Sequence, residues 1–284
     1  MPEEAYTGLN YGEKKHSHYE MAEAMEAYLN AVLARGQKNS KLTTAWLDGL
    51  KGILDAYLGP VPETFTYKGK TYTPVQWAAE MGLEPENFIN FTSYTHHPFY
   101  ESFILEIPDN WAWTESVNVP MEEMQQIVDN ALDKGWTVMW AADVSEGGFK
   151  WKNGYALLPE EKDTQNMDDT ELSRWVKLSD KDREDARFDI KGPVAEKKVT
   201  QETRQQTFDN FETTDDHGMV IVGTAKDQEG NKYYKVKNSW DTNQLYDGYL
   251  YVSVPFFLEK TLGVGIHKEA VPAAIAAKIK GSKR

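Results

Sequence analysis

The 284 residues include no cysteine, so the chain by itself supplies no disulfide, no thiolate nucleophile and no sulfur ligand for a metal. Disulfide logic therefore says nothing of its redox compartment. Positive charge is also scarce: 31 Lys and Arg stand against 45 Asp and Glu, a formal charge of −14 and a pI near 4.9. Such a field repels phosphate backbones and anionic lipid surfaces, which makes nucleic acid a poor default partner. Long apolar runs are missing as well. No stretch approaches the roughly 18 consecutive apolar residues that a membrane-spanning helix requires, and a membrane is not expected among the partners. The opening "MPEEAYTGLNYGEKKHSHYE" lacks the basic region and apolar core of a secretory signal.

What is present argues for a packed chain. Hydrophobic residues make up 40% and aromatic ones 12%, too apolar for a disordered polymer and enough for one large domain or two ordinary ones. No internal repeat is visible.

The first third reads helical. Ser17-His-Tyr-Glu has capping-box spacing, and Met21, Met25, Tyr28, Leu29, Val32 and Leu33 follow at helical intervals. A second amphipathic run carries Trp46, Leu47, Leu50, Ile53, Leu54 and Tyr57 and stops at Gly59-Pro60. "FTYKGKTYTP" alternates around Lys68-Gly69 as a hairpin does, and Thr73-Pro74 then caps a short helix ending near Gly82. The runs "FINFTSY" and "FILEI" flank the polar corner "THHPFYE".

Pro120 introduces a helix with Ile127, Val128, Ala131 and Leu132, Gly135 breaks it, and "WTVMWAAD" runs on as an apolar strand to Asp143. Residues 160 to 215 are dense in charge and read as a solvated excursion holding a helix or two. The β-runs "MVIVGTA", "KYYKVKNSW" and "GYLYVSV" follow, then a short helix from Pro255, the strand "GVGI" and the Ala-rich "PAAIAAKIK".

One juxtaposition carries chemistry. If residues 218–225 and 232–237 pair through "KDQEGN", His217 lies at the outer start of one strand and Asn238 at the outer end of its neighbour. An Asn carbonyl accepting from an imidazole N–H fixes the tautomer and leaves the other ring nitrogen free as a base. Trp240, two residues on, is placed to shield that bond from water and so strengthen it.

The string His217-Gly218-Met219, then Asn238-Ser239-Trp240, then Gly248-Tyr249 resembles the papain-like cysteine peptidases. Their His strand reads His-Ala before apolar residues, and their second motif is Asn-Ser-Trp followed by Gly-Tyr. "GPVPETFTYKGKTYTP" and "GVGIHKEAVP" are similar to segments of the bleomycin hydrolase and aminopeptidase C branch.

The resemblance implies an α+β, papain-like cysteine proteinase fold, N-terminally incomplete. Residues 1–120 would be a mainly helical, branch-specific region, and residues 121–284 the β-rich half with the His and Asn motifs and a C-terminal arm. It implies peptide-bond hydrolysis through a thioester, with His217 as base, Asn238 as its orienter, Trp240 as a shield and Gly218 widening the substrate-facing wall. The implied partners are a peptide substrate, an N-terminal segment of the same protein bearing the Cys and a Gln, and further copies of the chain. A cytoplasmic setting is implied too, with no cofactor and no metal.

Aminopeptidase rather than endopeptidase action rests on the resemblance. There the terminal carboxylate of the arm holds a substrate amine, while here the arm "AAIAAKIKGSKR" ends in basic residues that repel one. Without a thiol the chain alone is expected to be inactive and to begin inside a longer protein. The other expectation is a non-catalytic relative that keeps the fold as a binding or assembly module.

Three further patterns read more simply. His16, His18 and His96-His97 are too scattered in sequence to make a metal site. Acids beside tryptophan, as in "NWAWTES", read as a solvated acidic surface rather than a glycosidase pair. "KIKGSKR" reads as a solvated tail.

Overall fold

The computed structural model describes residues 1–2, 18–39, 41–161, 165 and 167–279. His16, the expected cap at Ser17 and the basic end of the arm, 280–284, lie outside the described residues. The chain divides into two compact units, Met1–Pro85 and Glu86–Arg284.

In the first unit, helices α1 (Tyr19–Asn39) and α2 (Ala45–Leu58) pack through Tyr28, whose hydroxyl donates to the Trp46 carbonyl at 3.0 Å. Gly49 is what lets them approach, since a Cβ there would lie 2.2 Å from the Tyr28 hydroxyl. Gly59, at φ 78°, ends α2 as the sequence expects.

The hairpin β1 (Phe65–Tyr67) and β2 (Lys70–Tyr72) turns at Lys68 and Gly69, both at positive φ, the geometry of a two-residue turn matched to strand twist. Thr73 and Gln76 form a full capping box on α3 (Pro74–Glu80). Its Trp77 receives the rings of Phe65, Tyr67 and Tyr72 edge-on at 5.0 to 6.1 Å.

The second unit is built on a ten-stranded sheet. Its strands are β3 (Phe88–Thr92), β4 (Ser102–Ile104), β5 (Glu115–Asn118), β6 (Val138–Ala142), β7 (Phe149–Lys150), β8 (Tyr155–Ala156), β9 (His217–Lys226), β10 (Lys232–Lys237), β11 (Tyr249–Ser253) and β12 (Thr261–His267). They lie in the order β4-β5-β3-β12-β6-β9-β10-β11-β8-β7. Residues 86–120, grouped with the helical region in the sequence reading, thus supply three strands of the same sheet as His217.

Helix α4 (Met121–Asp133) lays Met124, Ile127, Val128 and Ala131 into the core beside Trp140 and Ile221. It ends in a Schellman turn, with Trp136 N–H donating to Ala131 O at 2.9 Å and Gly135 at φ 82°. The chain therefore drops from α4 straight into β6 at the middle of the sheet.

Among its described residues the charged region holds three helices, α5 (Asp169–Trp175), α6 (Asp180–Phe188) and α7 (Gln201–Asp209). It is not solvated throughout. Arg204 of α7 is fully buried, and its guanidinium donates to the carbonyls of Ser93 at 2.8 Å, Leu258 at 2.6 Å and Thr261, with the Tyr94 ring 4.7 Å away. Carbonyl dipoles satisfy the cation where a composition-based reading sees only surface charge. Helix α8 (Val254–Lys260) carries the Leu258 carbonyl, and α9 (Ala273–Ala276) is the last helix among the described residues, with Ile275 in the core.

Candidate active site

Strand β9 opens at His217, and its alternation puts Met219 and Ile221 in the core. Its neighbour β10 runs antiparallel, with a bulge at Lys235/Val236, and the ladder ends at Lys237↔Val220, one residue short of Asn238. From there the Asn238 carboxamide reaches His217: imidazole Nε2–H donates to Oδ1 at 2.8 Å. Nδ1 is the ring nitrogen Asn238 leaves unengaged.

Asn238 is itself held by two further hydrogen bonds. Its backbone N–H donates to Gly248 O at 3.0 Å, Ser239 N–H donates to its Oδ1 at 2.7 Å, and the residue is buried. Its Nδ2 is a buried donor with no partner among the described residues. Gly248 must be glycine, because at φ 89° a Cβ would meet the Asp241 carbonyl at 3.2 Å where the loop folds back.

Trp240 lies over the pair, its ring centroid 4.9 Å from that of His217 and tilted by 31°. The indole is 46% exposed, so it covers one side only. Phe149 and Trp151 brace it edge-on, each at 5.7 Å. Gly218 faces outward, and a Cβ there would meet nothing within 4 Å.

His96 and His97 are exposed on the same unit, their rings 4.8 Å apart, with His96 Nδ1 3.2 Å from Gln205 Nε2. Among the described residues no group of three or more His, Cys, Asp or Glu is placed to hold a metal. No described helix is long and apolar enough to cross a membrane.

Several residues around the site gave no usable sequence signal. Phe149 and Trp151 are two aromatics among many. Gly148, just before them, permits a close backbone approach, since a Cβ there would lie 2.0 Å from the Leu157 carbonyl. Asp216 borders His217 and accepts from Val144 and Ser145 N–H at 3.1 and 2.9 Å. Asp143, buried, accepts from Ser145 N–H at 2.9 Å and Thr214 N–H at 3.1 Å.

Burial, and then the Asp216 carboxyl beside it, push Asp143 above the usual aspartate range. Burial acts upward on Asp216 too, but hydrogen bonds from Asp143, Thr214, Ser145 and Val144 outweigh it and hold that carboxyl below. Lys260, 2% exposed, joins Glu146 at 2.5 Å and lies 3.8 Å from Asp143.

With this geometry in place, the likenesses to known proteins are informative. Residues 191–283 match the Peptidase C1-like family model. The fold is α+β and papain-like: PepW from Lactobacillus rhamnosis HN001 superposes with a TM-score of 0.58 at 18% identity, over 92% of this chain and 56% of that one. The chain thus spans little more than half the length of that protein.

Bromelain from Ananas comosus, solved with the E64 inhibitor, covers 52% of the chain at 14% identity and a TM-score of 0.27, over 46% of its own length. The ragweed pollen allergen Amb a 11, a cysteine protease in its proform, covers 52% at 15% identity and 0.27, over 27% of its own length. No curated protein sequence matches the chain.

Proposed function

We propose that these residues form the base-bearing part of a cysteine-type aminopeptidase. His217 Nδ1 takes the proton of a thiol supplied by a preceding segment of the same protein, and the imidazolium so formed pairs with the thiolate. Asn238 holds the Nε2–H tautomer, Trp240 shelters the bond, and the open face at Gly218 leaves room for substrate. The thiolate attacks a peptide carbonyl to give a thioester, His217 returns its proton to the leaving amine, and water then releases the acyl group. The observation that carries the reading is the Nε2–H···Oδ1 bond of 2.8 Å beneath an indole.

With no cysteine in its 284 residues the chain alone is inactive. The test is an assay of the purified chain on aminoacyl fluorogenic substrates, with and without a thiol-alkylating reagent. No turnover is expected, and turnover insensitive to the reagent overturns the scheme.

The absence of a thiol also favours a second reading, a non-catalytic module that keeps the fold for binding or assembly. The coding DNA ahead of Met1 separates the two. A Gln codon followed within several codons by Cys-Trp supports the peptidase, and its absence supports the module.

A further inference from the structure

Two carboxyl groups converge where β6 leaves the sheet and β9 begins it, next to the ladder pair Ala142↔His217. Two residues bridge them. Ser145 N–H donates to Asp143 Oδ1 and to Asp216 Oδ2, each at 2.9 Å. Thr214 donates its N–H to Asp143 Oδ2 at 3.1 Å and its hydroxyl to Asp216 Oδ1 at 2.8 Å. The shared Ser145 N–H and the two donors of Thr214 hold the carboxyls close together, the arrangement in which one carboxyl can hydrogen-bond the other. A carboxyl–carboxyl hydrogen bond needs a proton on one partner.

We propose that Asp143 and Asp216 form a one-proton carboxyl pair, Asp143 carrying the proton and Asp216 the charge, which positions the strand of His217. The division follows from the surroundings. Asp143 is 1% exposed, where a second negative charge is least tolerable. Among the described residues each carboxyl accepts three hydrogen bonds, Asp143 from Ser145 N–H and O–H and Thr214 N–H, Asp216 from Val144 N–H, Ser145 N–H and Thr214 O–H. What divides them is that Asp216 is exposed and water solvates its charge.

The other charged groups facing the pair do not replace the proton. Lys260 of α8 lies 3.8 Å from Asp143 but is engaged with Glu146 at 2.5 Å and with the Glu212 carbonyl at 2.6 Å. Asp215, on the other side of Asp216, adds negative charge, its Oδ2 accepting from Asp109 N–H at 2.9 Å. His217 follows directly in β9. The directions in which the two carboxyls depart from the usual range, Asp143 upward and Asp216 downward, agree with this division.

The proton thus ties the 143–145 turn to residues 214–216. Removing it sets two like charges in contact, separates those segments, and displaces the backbone from which His217 projects. Both aspartates are positioning residues that act through the strand, whether or not the chain is part of a peptidase.

The test is an NMR titration of the full chain. It follows the side-chain carboxyl carbons of Asp143 and Asp216, the amides of Val144, Ser145 and Thr214, and the His217 ring. In the wild type, one carboxyl should titrate above the usual aspartate range and the other below it, with the Val144 and Ser145 amides moving at both steps.

Asp143→Asn, which mimics the protonated acid, should lose the upper step while Val144, Ser145 and His217 keep their wild-type signals. Only the Thr214 amide, whose acceptor changes, should shift. Asp216→Asn, which removes the charged acceptor, should displace all of them. Two carboxyls titrating together in the ordinary range would overturn the proposal. So would Asp143→Asn disturbing His217 as much as Asp216→Asn does. If Asp216→Asn fails to fold, the wild-type titration and Asp143→Asn decide alone.

Discussion

Replacing Asn238 by Ala should change the imidazole far more than it changes the fold. The substitution removes the acceptor of the His217 Nε2–H bond at 2.8 Å and of the Ser239 N–H bond at 2.7 Å. Each is worth about 1 kcal/mol net, but Ser239 is exposed and water replaces its partner. Against this loss stands the Asn238 Nδ2 donor, buried without a partner among the described residues, whose removal relieves a cost of about 1 kcal/mol or more.

The two roughly cancel, so unfolding in urea should shift by less than about 1 kcal/mol. The tautomer has no such compensation. Losing a bond of about 1 kcal/mol lowers the preference for Nε2–H about fivefold. Imidazole nitrogen chemical shifts report that ratio directly, measured at a pH where His217 is neutral. An unchanged ratio, or destabilisation beyond about 3 kcal/mol, would refute the reasoning, since the latter would make Asn238 a packing residue.

Trp240→Ala should cost less than full burial implies, about 1 to 2 kcal/mol, because the indole is 46% exposed; hydrogen exchange at His217 Nε2–H should quicken, and unchanged exchange would deny the shielding role. Lys260→Met leaves Glu146 without its partner and should lose about 3 kcal/mol in denaturant unfolding, with a loss under 1 counting against the buried pair as a support. Gly218→Ala should stay within about 0.5 kcal/mol of wild type by thermal melting, since its Cβ would project into open space.

The pH dependence has a defined sign. Asp143, raised, contributes stability that is complete below its unfolded pKa and lost as pH rises through its folded one. Asp216, lowered, contributes stability present above its unfolded pKa and lost as pH falls through its folded one. Their joint contribution should therefore peak near the ordinary aspartate range and fall on both sides, and Asp143→Asn should remove the alkaline limb.

Much of this structure can be read where the responsible forces act over short stretches of chain. The turn at Lys68-Gly69, the capping box at Thr73, the stop at Gly135 and the pairing of β9 with β10 each depend on residues a few positions apart. His217 and Asn238 meet because one hairpin joins their strands, and strand pairing carries that neighbourhood without knowledge of the rest.

Longer-range features were less legible. Charge density led the 160–215 region to be read as solvated, yet Arg204 is buried because carbonyls from Ser93 and α8 converge on it. Composition registers how many charges there are and not which dipoles will surround them.

The amino-acid sequence by itself determined the alternating strands, their capped helices, the hairpin that brings an imidazole to a carboxamide, and the want of a thiol. Only the tertiary structure decided that β12 lies between β3 and β6, that Phe149 and Trp151 brace Trp240, and that Asp143 and Asp216 share the Ser145 N–H. The reason is physical. Turn chemistry and side-chain period act between near neighbours, whereas the partners of one carboxyl among 45 acids are chosen by which distant strands pack together, a choice that no local pattern encodes.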